Sequence, residues 1–169
     1  MMDMSSIDAR TFRDALGHYA SGITIISGMV EGEPVGFTCQ SFYSVSTEPP
    51  LVSFSVMKSS TSWPKIRPVR NFAVNLLSWD QLEISNTFAK AAVDRWAKVG
   101  WTESAHGNPL IEGALFWLDC ETYAEHEAGD HTIVIGRVRY LCRPADRNDL
   151  SPLIFYKGSY RQLSETRGL

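Results

Sequence analysis

Residues 36–56 read GFTCQSFYSVSTEPPLVSFSV. A hydroxyl-rich segment, 38–46, runs into Pro49-Pro50 and then into an apolar alternation over 51–56. The alternation predicts a strand, because successive strand side chains point to opposite faces. Thr38, Ser41, Ser44, Ser46 and Thr47 crowd the loop before it, which offers many donors and almost no charge. A sheet behind such a loop fixes its residues in place, which is why binding groups sit there. This surface suits a flat, polar-edged heterocycle better than a polyanion. The same composition also describes a solvated turn, and on these residues alone both readings stand.

On the N-terminal side, Phe12, Leu16 and Tyr19 recur at helical spacing from Asp8, with Gly22 as the expected stop. A β-branched run over 23–29, the turn Glu31-Gly32-Glu33 and residues 34–38 predict a hairpin. On the C-terminal side, residues 59–66 predict a short helix with Pro64 in its first turn. NFAVNLL, residues 71–77, predicts a strand with Phe72, Val74 and Leu76 on one face. Residues 80–99 read as helical or irregular, anchored by Leu82, Phe88 and Trp96. Strands are expected again over 115–124, 131–141 and 153–156, with a turn at Gly129-Asp130. This order is not the strand–helix alternation of a doubly wound sheet. It predicts a mainly β fold with some α, an antiparallel barrel with peripheral helices.

The chain has 169 residues, 44% apolar and 21% charged, so a single domain over 1–169 with a real core is expected. The net charge of −3 favours neither nucleic acid nor an anionic membrane as partner. MMDMSSIDAR lacks a positive flank followed by an apolar run, so no signal peptide is expected. No segment approaches the roughly 20 apolar residues that span a bilayer. Cys39, Cys120 and Cys142 are odd in number and lack metal spacing, and read as reduced thiols of a cytoplasmic protein.

Several familiar sites are missing from the sequence. There is no Rossmann glycine fingerprint, no P-loop and no G-x-S-x-G elbow. The four histidines lack zinc-ligand spacing, and no metal is expected. Lys58-Ser59-Ser60-Thr61-Ser62 opens the predicted short helix, where free N–H groups and hydroxyls favour a phosphate, with Lys58 and Lys65 adding charge. An ordinary helix cap is the competing reading. If this segment and the loop at Thr38 face one ligand, a phosphorylated heterocycle unites them, and flavin mononucleotide is the simplest. In Gly129-Asp130-His131 an aspartate adjoins a histidine at a strand entry, as an oriented imidazole or as a plain turn. Phe155, Tyr156 and Tyr160 either close over an aromatic ligand or pack the last strand.

Taken in order, the motifs Tyr19-Ala20-Ser21-Gly22-Ile23-Thr24, Thr38-Cys39-Gln40-Ser41-Phe42, Ser44-Val45-Ser46, FAVNLL, Phe88-Ala89, Gly129-Asp130-His131-Thr132 and LIFYKGSY resemble the flavin reductase family. Its fold is the FMN-binding split barrel, and its members are the small reductase components of two-component flavin-dependent monooxygenases. The resemblance runs from Phe12 to Leu163. It implies an NAD(P)H-dependent flavin reductase that passes hydride from nicotinamide C4 to N5 of FMN or FAD and supplies reduced flavin to a separate oxygenase. It also implies a homodimer, with flavin near the subunit interface. Thr38, Cys39, Gln40, Ser41 and Phe42 would line the ring and ribityl chain, with Ser44 and Val45 nearby. Ser59, Ser60, Thr61, Lys65 and Ile66 would hold the phosphate side, and Phe88 and Ala89 would add a further contact. His131 matches a histidine linked to the nicotinamide nucleotide, with Tyr156, Gly158 and Tyr160 bordering that pocket. Cys39 stands where alanine is commoner, a small-for-small change. No firm acid–base catalyst is assigned, since hydride transfer needs orientation more than a strong protein acid. No arginine cluster marks a 2′-phosphate site, which favours NADH over NADPH. A flavin-binding module without turnover and another split-barrel oxidase are the alternatives.

Overall fold

Asp8 begins the first helix by capping it. Its Oδ1 accepts the N–H groups of Arg10 and Thr11 at 2.9 Å, opening α1 (Ala9–Leu16). The computed structural model of the chain describes residues 7–90, 94–144 and 151–163. Part of the stretch read for a signal peptide (1–6) and part of the 80–99 segment (91–93) lie outside the described residues. The helix ends at Gly17 rather than at Gly22, which belongs instead to β1 (Ser21–Gly22). The cause is tertiary. The Gly17 carbonyl accepts Lys157 N–H, and the chain turns to pair with the C-terminal hairpin.

The hairpin expected over 23–38 is β2 (Thr24–Val30) and β3 (Glu33–Cys39). The loop expected over 38–46 is largely strand. β4 (Tyr43–Thr47) pairs with β5 (Pro50–Met57), which leaves only Gln40, Ser41 and Phe42 as connector. β4 is an edge strand with both faces largely exposed, so no apolar alternation announces it. Pro64 sits in the first turn of α2 (Trp63–Ile66), as expected. Then come β6 (Asn71–Leu76), α3 (Leu82–Ala89), and a small hairpin, β7 (Trp101–Glu103) with β8 (Pro109–Ile111), which the sequence reading did not contain. The long strands β9 (Phe116–Ala128) and β10 (His131–Cys142) and the closing pair β11 (Ile154–Tyr156) and β12 (Ser159–Arg161) complete the fold.

Seven strands form one antiparallel sheet in the order β3-β2-β6-β9-β10-β5-β4. Its two edges are consecutive in the chain, and their connector runs alongside β5. There Ser41 Oγ donates to Ser55 O and accepts Ser55 N–H, both at 2.9 Å. The β4–β5 register, Tyr43 opposite Ser53, extends to Ser41 opposite Ser55, and at that point a side chain does the work of a backbone. The expected split barrel is this curled sheet.

β2 separates two cores. Ile26 faces Phe54, Phe72, Val74, Trp63 and Ile66 inside the barrel, while Ile23 and Ile25 face Phe88, Ile111, Leu77 and Leu153 outside it. Burial on both faces explains why residues 23–29 read as a run rather than an alternation. Gly136 on β10 faces the inner core, where a Cβ would lie 2.5 Å from the Phe72 ring. Phe72 packs edge-on to Phe54 and Trp63 there, with ring centroids 5.4 and 6.0 Å away.

Asn75, fully buried on β6, links these layers. Its Nδ2 donates to Ile25 O and Ser27 Oγ, and its Oδ1 accepts Ile111 N–H at 2.7 Å. Ser27 Oγ in turn donates to Pro109 O at 2.7 Å. Removing the amide strands buried groups, each costing about 1–3 kcal/mol. Asn75→Leu therefore loses about 2–4 kcal/mol in urea unfolding, whereas the exposed Val69→Ala stays within about 0.5 kcal/mol of the parent.

Candidate active site

The ends of β3 and β5, the segment after β5, the end of α3 and the start of β10 enclose a cleft of about 550 Å³. Thr38, Cys39, Gln40 and Ser41 line one wall, Ser59, Ser60 and Thr61 another, with Phe88, Ala89 and His131 at the remaining sides. Segments far apart in sequence thus meet at one place. α3 reaches the cleft because β3 carries Gly36 beneath it. A Cβ there would lie 3.0 Å from the Phe88 ring and 3.1 Å from Trp96. Thr38 Oγ1 fixes the same junction by donating to Ser85 O at 2.7 Å, and Ser85 Oγ meets Tyr160 Oη at 2.9 Å.

The segment after β5 is organised by Ser60, whose Oγ accepts N–H bonds from Ser62 and Trp63. The first N–H groups of α2 are therefore occupied, and a four-residue helix has little dipole, so the helix-start argument does not carry the anion site. The hydroxyls do. Neither Ser59 nor Thr61 makes a hydrogen bond to another described residue, and both face the cleft. Lys58 is committed elsewhere, in an ion pair with Glu127 that holds that carboxylate below its usual range.

Arg95 supplies a cation that no sequence motif marks. Its guanidinium donates to Gly36 O and Ser62 Oγ, both at 2.7 Å, and to Lys90 O, and it borders the cleft. Partial burial pulls its pKa down, but it has ample range in which to stay charged. Nothing in Asp94-Arg95-Trp96 distinguishes it in sequence from a solvated arginine. Its role comes from the fold.

His131 lies in the same cleft, and its Nδ1 meets Asp130 Oδ1 at 2.7 Å. The bond, and then the charge of the imidazole, hold the Asp130 carboxyl below its usual range. Gly129, at φ +63°, makes the turn that brings this pair to the entry of β10. With Nδ1 engaged, Nε2 is the ring's remaining polar atom.

Other expected site residues lie elsewhere. Ile66 is fully buried in the inner core and offers no surface. Phe42 packs against that core, Ser44 and Val45 sit on the exposed β4 edge, and Lys65 lines a neighbouring groove. Gly158 lines a different cavity, about 640 Å³, between α1 and the C-terminal hairpin, which shares Gln40 with the cleft. Lys157 Nζ stands 5.5 Å from the centroid of the Tyr156 ring, and Tyr160 reaches the cleft only through Ser85. The larger cavity is walled by the exposed face of α1, while the convergent hydroxyls and His131 belong to the smaller one.

A profile of the flavin reductase-like domain matches residues 16–164. The chain belongs to the flavin reductase-like family. It is 43% identical over 157 residues to HsaB, the reductase subunit of a flavin-dependent monooxygenase from Mycobacterium tuberculosis, covering 92% of this chain and 83% of that one. It is 38% identical to SmoA of Agrobacterium fabrum, named an FMN reductase (NADH), over 93% of this chain and 87% of SmoA. Among solved structures, a nitrilotriacetate monooxygenase component B homologue from Mycobacterium thermoresistibile superposes with a TM-score of 0.90 at 40% identity, covering 95% of this chain and 90% of that one. Among the described residues no group of side chains could hold a metal, and no helix is long and apolar enough to cross a membrane.

The cleft thiol has a checkable property. Burial pushes the Cys39 pKa up, and burial together with the charge of Asp119 does the same at Cys120. Cys142 is only half-buried. Ellman's reagent at pH 8 is expected to titrate one thiol in the native protein and all three in guanidinium.

Proposed function

We propose that the protein is an NAD(P)H:flavin oxidoreductase that delivers reduced flavin to a separate monooxygenase component. One observation carries this reading: the free hydroxyls of Ser59 and Thr61, the strand end from Thr38 to Ser41, and His131 share one cleft. The donor set fits a flavin. It is neutral along the wall that would face the ring, and it has free hydroxyls beside Arg95 where a phosphate would lie. Flavin, when bound, supplies the two-electron acceptor for the nicotinamide hydride.

The protein's part is orientation. Thr38 is pinned to α3 through Ser85 O, and Ser41 to β5, so the wall keeps its shape when a ring stacks on it. Phe88 and Ala89 limit the opposite side and exclude water. Ser59 and Thr61 bind phosphate through neutral hydroxyls, a contact that lets a product leave. His131, held by Asp130, positions the nicotinamide nucleotide at the rim. NADH is the preferred donor, and relatives named NADH-dependent support this. The free thiols support a cytoplasmic location. The exposed apolar face of α1, with Phe12 and Leu16 each more than half exposed, supports a homodimer.

Oxidation of NADH, followed at 340 nm, is expected only when flavin is present; no flavin-dependent turnover with either nicotinamide nucleotide refutes the activity. Ser59→Ala with Thr61→Ala should weaken FMN by about 1.5–3 kcal/mol per lost charged hydrogen bond and spare riboflavin. An equal loss for both flavins would move the phosphate elsewhere. His131→Ala should raise the KM for NADH at unchanged flavin affinity. If it lowers only the melting temperature, the histidine is a turn residue.

A further inference from the structure

Ser85 is bonded from two directions. It sits in the middle of α3, fully buried, one turn before the Phe88 and Ala89 that bound the cleft. Its carbonyl accepts Thr38 Oγ1 from the cleft wall at 2.7 Å, and its Oγ meets Tyr160 Oη of the C-terminal hairpin at 2.9 Å. A helical serine without an outside partner turns its hydroxyl back onto its own helix. Tyr160 lies in the wall of neither the cleft nor the larger cavity, yet it is firmly held. It stands opposite Phe155 in the β11–β12 pair, and the two rings meet edge to face with centroids 5.3 Å apart. The hairpin is tied to the main sheet in turn. Leu153 N–H donates to Leu77 O at 3.0 Å, and Leu153 O accepts Ile23 N–H at 3.1 Å.

We infer that Tyr160 is a positioning residue for the flavin ring: through Ser85 its hydroxyl sets where α3 stands against the Thr38 wall, although it touches no part of the cleft. The inference rests on the proposed flavin site and deepens it. The Phe88 contact over Gly36 is apolar, and apolar packing has no preferred direction, so by itself it leaves the helix free to slide along β3. The line from Tyr160 through Ser85 to Thr38 is directional, because hydrogen bonds weaken steeply when misaligned. A shift of α3 moves the Phe88-Ala89 side of the cleft and the Thr38 wall relative to each other. In a wall whose work is orientation, about 1 Å of misplacement costs about a hundredfold in rate. The resemblance put Tyr160 beside the nicotinamide. In the fold its hydroxyl is spent on Ser85, and it is absent from the walls that include His131. The phosphate end is organised separately, by the bonds of Ser60 to Ser62 and Trp63, none of which involves α3.

The test is equilibrium binding of riboflavin and FMN to full-chain variants, with kinetics alongside. Tyr160→Phe keeps the ring contact with Phe155 and removes only the hydroxyl. It is expected to weaken riboflavin and FMN by the same factor, about threefold to tenfold, the worth of one hydrogen bond. Single-turnover reduction of bound flavin should slow, while the KM for NADH stays at the parent value. Ser85→Ala removes the other hydroxyl and suits a helix. It should show the same loss, and the double variant no more than either alone. A lower melting temperature with parent-like flavin binding makes Tyr160 a packing residue and overturns the inference. So does a raised KM for NADH at unchanged flavin affinity, a loss confined to FMN, or losses that add in the double variant. A parent protein that binds no riboflavin refutes the proposed flavin site, and the inference with it. Variants that match a flavin-binding parent refute the inference alone. NADH oxidation by the parent tests the proposed activity separately.

Discussion

A single hydroxyl ties the connector between the two edge strands to β5. Ser41 Oγ gives one hydrogen bond to Ser55 and takes one from it, in the place where the backbone of β4 would otherwise continue. A backbone ladder there would extend the sheet and seal the space beside it. A side chain of a few ångströms holds β5 and the β3–β4 connector apart yet fixed. The gap it keeps is the wall of the cleft, so the split in the barrel and the site are one feature. Two neutral bonds are worth about 1–3 kcal/mol in all. Leaving both Ser55 groups unpaired in a partly buried place costs at least as much.

The second constraint is the approach of α3 to β3. Gly36 lets Phe88 and Trp96 descend onto the strand, and Arg95 then ties that strand to the α3 end and to the segment before α2. Three elements that share no sheet hydrogen bonds are thereby held at fixed separation. The chain places its site where irregular backbone is most constrained by side chains. Loops positioned by a rigid scaffold serve binding in this way.

Much of this was legible in the sequence, and the exceptions have physical causes. The β2–β3 hairpin, β5, β6, β9 and β10 were readable because each carries a β-branched run or an alternation with turn residues beside it. β4 reads as loop because an edge strand exposed on both faces has no burial pattern. The end of α1 is not legible locally because a tertiary hydrogen bond from Lys157 to Gly17, not a local stop signal, turns the chain. The motifs around Thr38, Ser59 and Phe88 point to the flavin and the one at His131 to the nicotinamide nucleotide in a pocket of its own, whereas the fold brings all four to one cleft. The lysines expected to add charge do not line it: one is paired to Glu127 and the other faces the adjacent groove. Arg95 takes that place, and only three-dimensional proximity to Gly36 and Ser62 distinguishes it.

Cys39 gives the cleft an unexpected durability. Flavin reduced in air leaves peroxide behind, so a protein that handles it works in its own oxidant. Peroxide attacks the thiolate and not the thiol. The sulfur of Cys39 is buried at the inner wall, 3.4 Å from Ser41 Oγ, and burial keeps it protonated. A larger side chain would fill the wall, and a strongly polar one would compete for the hydroxyl that holds the connector to β5. The thiol fits the space and makes only a weak hydrogen bond with that hydroxyl, and it escapes the corrosion to which an exposed cysteine would succumb.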